Sequence, residues 1–179
     1  MKILGIDPGS RICGYGVIET VDNSLKVIEY GVVKVNKKND PLPNRLLEIY
    51  RRLSEVIKRT SPDIAAFESL FFSKNVQSLV KLSHARAVAV LAAVENDLHI
   101  SEFTPREIKK SVSGNGNAGK EQVQFMVKTI LSIKETPEFY DVTDALAVAI
   151  CHSIRSDSKT KSVKSWKDFI EQNPDRVVK

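Results

Sequence analysis

The stretch KILGIDPGSRICGYGVIE, residues 2–19, brings a short apolar run to an end on an acid and follows it at once with Pro8 and Gly9. Ile3, Leu4, Gly5 and Ile6 read as a strand, which places Asp7 at its end. A carboxylate there either forms a turn, for which Asp-Pro-Gly is a common signal, or is held out toward a ligand. The residues beyond it have to decide. Gly14 to Thr20 and Leu25 to Val35 read as two more strands, separated by Asp22-Asn23-Ser24, so the chain opens with a three-stranded antiparallel unit.

Past a loop around residues 37–43, the period changes. Leu46, Leu47, Tyr50, Leu53 and Ile57 recur at helical spacing, with Asn44 as the expected N-cap. Asp63 to Glu68 is an apolar strand entered through Ser61-Pro62, and residues 76–95 form a long Ala- and Leu-rich helix. His99 to Phe103 reads as a short strand, and Thr104-Pro105 opens a short helix with a good cap and a good first residue. GNGNAG at 114–119 is a loop. Residues 120–133 and 141–154 read as two further helices. The order β-β-β-α-β-α-β-α-α-α predicts an α/β domain with a mixed central sheet of about five strands flanked by helices. The expected organisation is one domain over 1–155 and a polar tail over 156–179, mobile or folded as a peripheral helix.

Composition narrows the class. The 179 residues are 42% hydrophobic and 27% charged, as in a globular protein with one sizeable core. The longest apolar run, Ala87 to Val94, is far shorter than the ~20 residues that cross a bilayer, so no membrane partner is expected and a cytoplasmic protein is. Cys13 and Cys151 have no metal-site spacing and form no disulfide framework. The net charge of +5 is unevenly placed: residues 69–94 hold Lys74, Lys81 and Arg86 and no acid, and Arg106, Lys109, Lys110 and Lys120 form a second cluster. Such clustering fits a solvated face or a polyanion footprint.

Glu68 repeats the oddity of Asp7, ending the apolar strand in DIAAFE. If the two strands are parallel neighbours, both acids lie at the carboxyl edge of the sheet, where open α/β sheets bind ligands. YDVTDALAVAI then places Asp141 and Asp144 three apart at a helix start, on one face. Each acid alone has an ordinary structural explanation, as a turn-former or a helix-start charge. Together they do not: two carboxylates ~4 Å apart repel by about 4 kcal/mol at an effective dielectric near 20, so a cluster calls for cations. Mg²⁺ takes oxygen ligands, one or two carboxylates per ion, and two ions about 3.5–4 Å apart would clamp both oxygens of a phosphodiester cleavage.

At these residues the sequence resembles the RuvC family of Holliday junction resolvases, with its RNase H-like fold. The motifs are GIDPGSR at 5–11, FESLFFSKN at 67–75, HARAVAVLAAV at 84–94 and DVTDALAVAICH at 141–152, in the family's order. The resemblance implies a homodimer that resolves four-way DNA junctions in recombination and repair, making paired nicks with Mg²⁺ or Mn²⁺. It places the family's four acids on Asp7, Glu68, Asp141 and Asp144, with Asp at a third position where some members carry His. It further implies a base-stacking aromatic at Phe71, basic backbone contacts at Lys109 and Lys120, a dimer interface on the helix 76–95, and partnership with a branch-migration complex of the RuvA/RuvB type. Small residues at Ala85, Ala87, Ala89 and Ala93 would let two copies of that helix approach closely. Lys74, Lys81 and Arg86 complete the expected DNA contacts.

Three other readings fit parts of the sequence less well. GNGNAGKE fits the spacing of a P-loop, but Glu121 stands where Ser or Thr would hold Mg²⁺, and no buried strand precedes it. GIDPGS also resembles the first phosphate loop of actin-like and sugar-kinase-like ATPases, which need two such halves where this chain has room for one. A non-catalytic junction-binding protein would have no use for four acids.

Overall fold

A computed structural model describes residues 1–22, 24–35, 40–69, 76–135 and 137–161, the last five by backbone alone. Strands β1 (Lys2–Asp7), β2 (Ile12–Val21) and β3 (Ser24–Lys34) precede α1 (Leu42–Thr60), β4 (Ile64–Glu68) and α2 (Val76–Glu95). β5 (His99–Phe103), α3 (Pro105–Ser113), α4 (Lys120–Ile130) and α5 (Tyr140–Lys161) complete the chain, in the order expected. The sheet runs β3-β2-β1-β4-β5, antiparallel across its first three strands and parallel from β1 through β4 to β5.

Alternation along each strand sorts the core into two layers. Leu4 and Ile6 of β1, with Ala65 and Phe67 of β4, face α1 and α2, joining Ile49, Leu53, Ala85, Ala89 and Ala93. Ile3 and Ala66 face the other way, against Leu146, Ala149 and Ile150 of α5 and Ile108 and Val123 of α3 and α4. Helices thus cover both faces, and α5 is buried from Ala145 through Cys151. Cys13 and Cys151 are both buried and free.

α5 lies unusually near the sheet, because the strands below it carry glycine. A Cβ on Gly5 would sit 1.9 Å from the Ala145 carbonyl oxygen, and one on Gly14 would sit 2.1 Å from that of Asp141. Glycine inside a strand marks such close approaches of another backbone.

Four sequence expectations need correction. α1 begins at Leu42, with Pro41 at the N-cap position and no side-chain cap; Asn44 lies inside the first turn, its Nδ2 donating to Asp40 Oδ1 at 3.1 Å. Pro43 makes this possible, since proline is tolerated where the helix needs no N–H. α4 stops at Ile130 rather than 133, and α5 runs over Tyr140–Lys161 rather than 141–154. Ala85, Ala89 and Ala93 are wholly buried against their own core, so of the four alanines assigned to a dimer contact only Ala87 is exposed. Thr104 behaves as expected: its Oγ1 accepts from Glu107 N–H and Glu107 Oε2 accepts from Thr104 N–H, a capping box worth ~1 kcal/mol. Among the described residues no helix is long and apolar enough to cross a membrane.

Candidate active site

The register of β1 on β4 assembles the first half of the site. Ile6 pairs with Phe67, so Asp7 and Glu68 are the next residues of two parallel strands lying about 4.8 Å apart. Alternation turns both toward α5, on the face opposite Ile6 and Phe67. The second half comes from the start of α5, brought over β2 by Gly14, where Asp141 and Asp144 stand in the first turns.

A cleft of about 380 Å³ opens there, lined by Asp7, Glu68 and Asp144, by Lys109 of α3 and Lys120 of α4, and by Pro105, Ile108, Val123 and Ala147. A smaller hollow of about 210 Å³ adjoins it, sharing Asp7, Glu68 and Pro105 and adding Ser69, Leu82 and Arg86. Asp141 is absent from the cleft wall but close enough for its charge to act on Asp7 and Asp144.

Electrostatics show how tightly these acids are grouped. Burial, then the charges of Asp144, Asp141 and Glu68, push the Asp7 carboxyl up to about 8, against the pull of Lys120. Glu68 is raised by burial and by Asp144, opposed by Lys109, Lys120 and Arg86. Asp144 is raised chiefly by burial, with Asp141 adding to the shift and Lys120 and Lys109 opposing it. The charges of the three other acids all reach Asp7.

Oxygen-only donors suit a hard divalent cation. Among the described residues no three His, Cys, Asp or Glu side chains converge into one ligand set. An ion would therefore be held by a pair of carboxylates and complete its shell with water or phosphate oxygen, which is how Mg²⁺ is commonly bound.

The basic residues divide. Lys109 and Lys120 enter the cleft, and Lys81 is exposed on α2, outside it. Arg86, expected among the DNA contacts, turns inward. Its guanidinium donates to the Glu68 carbonyl, pairs with Glu102 at 2.8 Å and lies 5.2 Å from the Phe67 ring, with only 10% of the side chain exposed. It fixes the end of β4, and so the backbone that carries Glu68. Phe71 and Lys74 lie outside the described residues. The positioning roles of Gly5, Gly14 and Arg86 escaped the sequence reading, although glycines inside an otherwise apolar strand were a signal for the first two.

Fold and site together define a class: an RNase H-like domain whose carboxylates gather at the carboxyl edge of two parallel strands. The chain belongs to the RuvC family, whose model, described as crossover junction endodeoxyribonuclease RuvC, matches residues 3–152. It is 43% identical over 175 residues to the crossover junction endodeoxyribonuclease RuvC of Cytophaga hutchinsonii, covering 98% of this chain and 87% of that one. The Salinibacter ruber protein of the same name is 42% identical, with 99% of each chain covered. Thermus thermophilus RuvC in complex with Holliday junction substrate superposes with a TM-score of 0.83 at 32% identity, over 89% of this chain and 97% of that one.

Proposed function

We propose that this crossover junction endodeoxyribonuclease holds two divalent cations, Mg²⁺ or Mn²⁺, on Asp7, Glu68, Asp141 and Asp144, and uses them to nick four-way DNA junctions. The observation that carries the reading is that Asp7 and Glu68 each follow the Ile6–Phe67 pair on neighbouring parallel strands and line one cleft with Asp144. When bound, such ions supply charge stabilisation on both sides of the scissile phosphate and an activated water. The chain's own part is to hold the carboxylates rigidly on strand ends and a helix start, and to bring Lys109 and Lys120 where a phosphate backbone would pass. Both ammonium groups lower the carboxylate titrations, so they share one field with the acids.

The cleft lies at the edge of one domain, and a four-way junction has two equivalent strands to cut. A homodimer with its two clefts related by a two-fold axis fits that symmetry. The solvent-facing side of α2 supports this arrangement, since Val76, Val80, Leu91 and Val94 lie exposed on it. The family relationship supports Phe71 as a stacking residue, Lys74 and Lys81 as outer backbone contacts, association with a branch-migration complex, and action in the cytoplasm.

Replacing Asp7 tests the reading. Asp7→Asn is expected to bind a synthetic four-way junction with near-wild-type affinity and to lose Mg²⁺-dependent nicking by at least ~10³-fold, because it removes the carboxylate common to the group. Linear duplex and Y-shaped DNA serve as the other substrates, each with and without the metal. Undiminished cutting by the variant, or cutting in excess chelator, would sink the metal assignment. Binding without cutting by the wild-type chain would favour the non-catalytic reading.

A further inference from the structure

We infer that Tyr140 is a positioning residue for the reaction, its ring holding the Lys120 ammonium over the carboxylate cleft. The inference rests on the reading above that Lys120 works in that cleft. Lys120 is the first residue of α4 and Tyr140 the first of α5, and the two helix starts meet beside the site. Lys120 Nζ stands 6.0 Å from the centroid of the Tyr140 ring, at the outer limit of the range over which an aromatic face attracts a cation.

Two features of this pair want an explanation. Tyr140 is 46% exposed although it immediately precedes the acidic turn, so core packing does not account for an aromatic here. Its neighbour Phe139, by contrast, packs against the buried cluster beneath α5. The Tyr140 backbone is nonetheless held, since the buried Thr143 hydroxyl donates to its carbonyl at 2.8 Å. Lys120 is the second feature. Its charge acts on Asp7, Glu68 and Asp144, yet among the described residues it makes no ion pair within 4 Å with any of them.

A lysine on a flexible four-carbon stem, facing three carboxylates, is free to fold onto one of them. That would remove the ammonium from the path of the DNA backbone and occupy a carboxylate needed elsewhere. The Tyr140 face beside it supplies a competing attraction that needs no hydrogen bond. The ammonium is then shared between the ring and the acids. Within this arrangement the ring acts through Lys120, and touches neither metal nor scissile phosphate.

The test is a double-mutant cycle read by single-turnover cleavage of a four-way junction at saturating enzyme, with junction affinity and melting temperature measured alongside. Tyr140→Leu is expected to slow cleavage about two- to fivefold, with affinity and melting temperature held, because an exposed cation–π contact is worth about that factor. Tyr140→Phe keeps the ring and is expected to restore the rate. In a Lys120→Ala background, Tyr140→Leu is expected to add nothing. Equal losses in both backgrounds would overturn the inference, as would a Phe variant as slow as the Leu variant. Weaker binding at an unchanged cutting rate would also overturn it, and make the ring a direct DNA contact. A lower melting temperature with no change in rate would make it structural. If Lys120→Ala itself cuts at the wild-type rate, the role of Lys120 falls and this inference with it, while the four acids, tested by Asp7→Asn, stand apart.

Discussion

Asp7 ends a strand whose preceding residues, Ile3 to Ile6, are wholly buried, and its carboxyl is raised from 3.8 to about 8 by burial and by three acidic neighbours. An acid whose folded value is raised binds a proton in the native state that the unfolded chain has already released. Between pH ~4 and ~8 the native state therefore holds more protons than the unfolded one, and stability falls as pH rises through that window. Glu68 and Asp144 are raised too and act with the same sign. Glu29 and Glu107 are held low, by Arg59 and by Thr104, and their contributions change below the window. In chelator, the melting temperature is expected to fall between pH 5 and pH 8.5, by an amount corresponding to a few kcal/mol at most. Asp7→Asn should flatten much of that slope. Mg²⁺ competes with the proton, so it should raise the melting temperature more at pH 8.5 than at pH 6, and do so weakly in Asp7→Asn. Thermal scans across pH, with and without the ion, check all three. A flat profile in the parent would mean that Asp7 is ionised without help and that the acids are not grouped as described.

Between elements, the decisive distance is that of α5 from the sheet, and glycine sets it. An alanine at Gly14 would place its Cβ 2.1 Å from the Asp141 carbonyl oxygen, a contact with backbone that no side-chain rotation relieves. α5 would have to withdraw, carrying Asp141 and Asp144 away from Asp7. Gly14→Ala is expected to destabilise by about 1–3 kcal/mol through overpacking. It is also expected to lower the junction-cleavage rate by up to ~10²-fold, because a displacement near 1 Å is enough to spoil a reacting geometry. Cleavage measured well below the variant's melting temperature separates the two effects, and a wild-type rate there would show that α5 is free to shift without moving the site. This dependence also explains what could be read from the sequence. Strand ends and element order were legible because hydrophobic period and turn residues are local signals. The meeting of Asp7 with Glu68 was legible only on the condition that their strands were parallel neighbours, which β1 and β4 are. Direction was not legible: a count of charges put Arg86 on an open basic face, and only packing turns it onto the Glu68 carbonyl and Glu102. The alanines of α2 misled for the same reason, since apolar residues lie on more than one side of this helix and do not announce which side meets its own core.

At the scale of the whole molecule, α2 has more apolar surface than one core can use. Ala85, Ala89, Ala92 and Ala93 are spent on the layer against α1 and the sheet. Val76, Val80, Leu91 and Val94 remain outside it, spaced so that they fall along one side of the helix, with Leu91 at 57% exposure. Exposed apolar residues gathered on one side of a helix mark an interaction surface more often than residues scattered singly do. Under the reading proposed above, its occupant is a second copy of the chain, which would set two clefts on a two-fold junction. Leu91→Glu would bury two like charges near the two-fold axis of such a dimer. The loss of apolar burial and the desolvated, repelling carboxylates together amount to several kcal/mol, enough to weaken association at least ~100-fold. Sedimentation at micromolar concentration is expected to show a dimer for the parent chain and a monomer for Leu91→Glu, with the melting of the single domain nearly unchanged because Leu91 faces solvent. The variant keeps its cleft, so nicking should persist at a reduced rate while the two cuts lose their coupling, visible as singly nicked junctions accumulating on a supercoiled cruciform plasmid. A dimeric Leu91→Glu with coupled cuts would move the interface off this face of α2, and the exposed stripe would then need a different occupant.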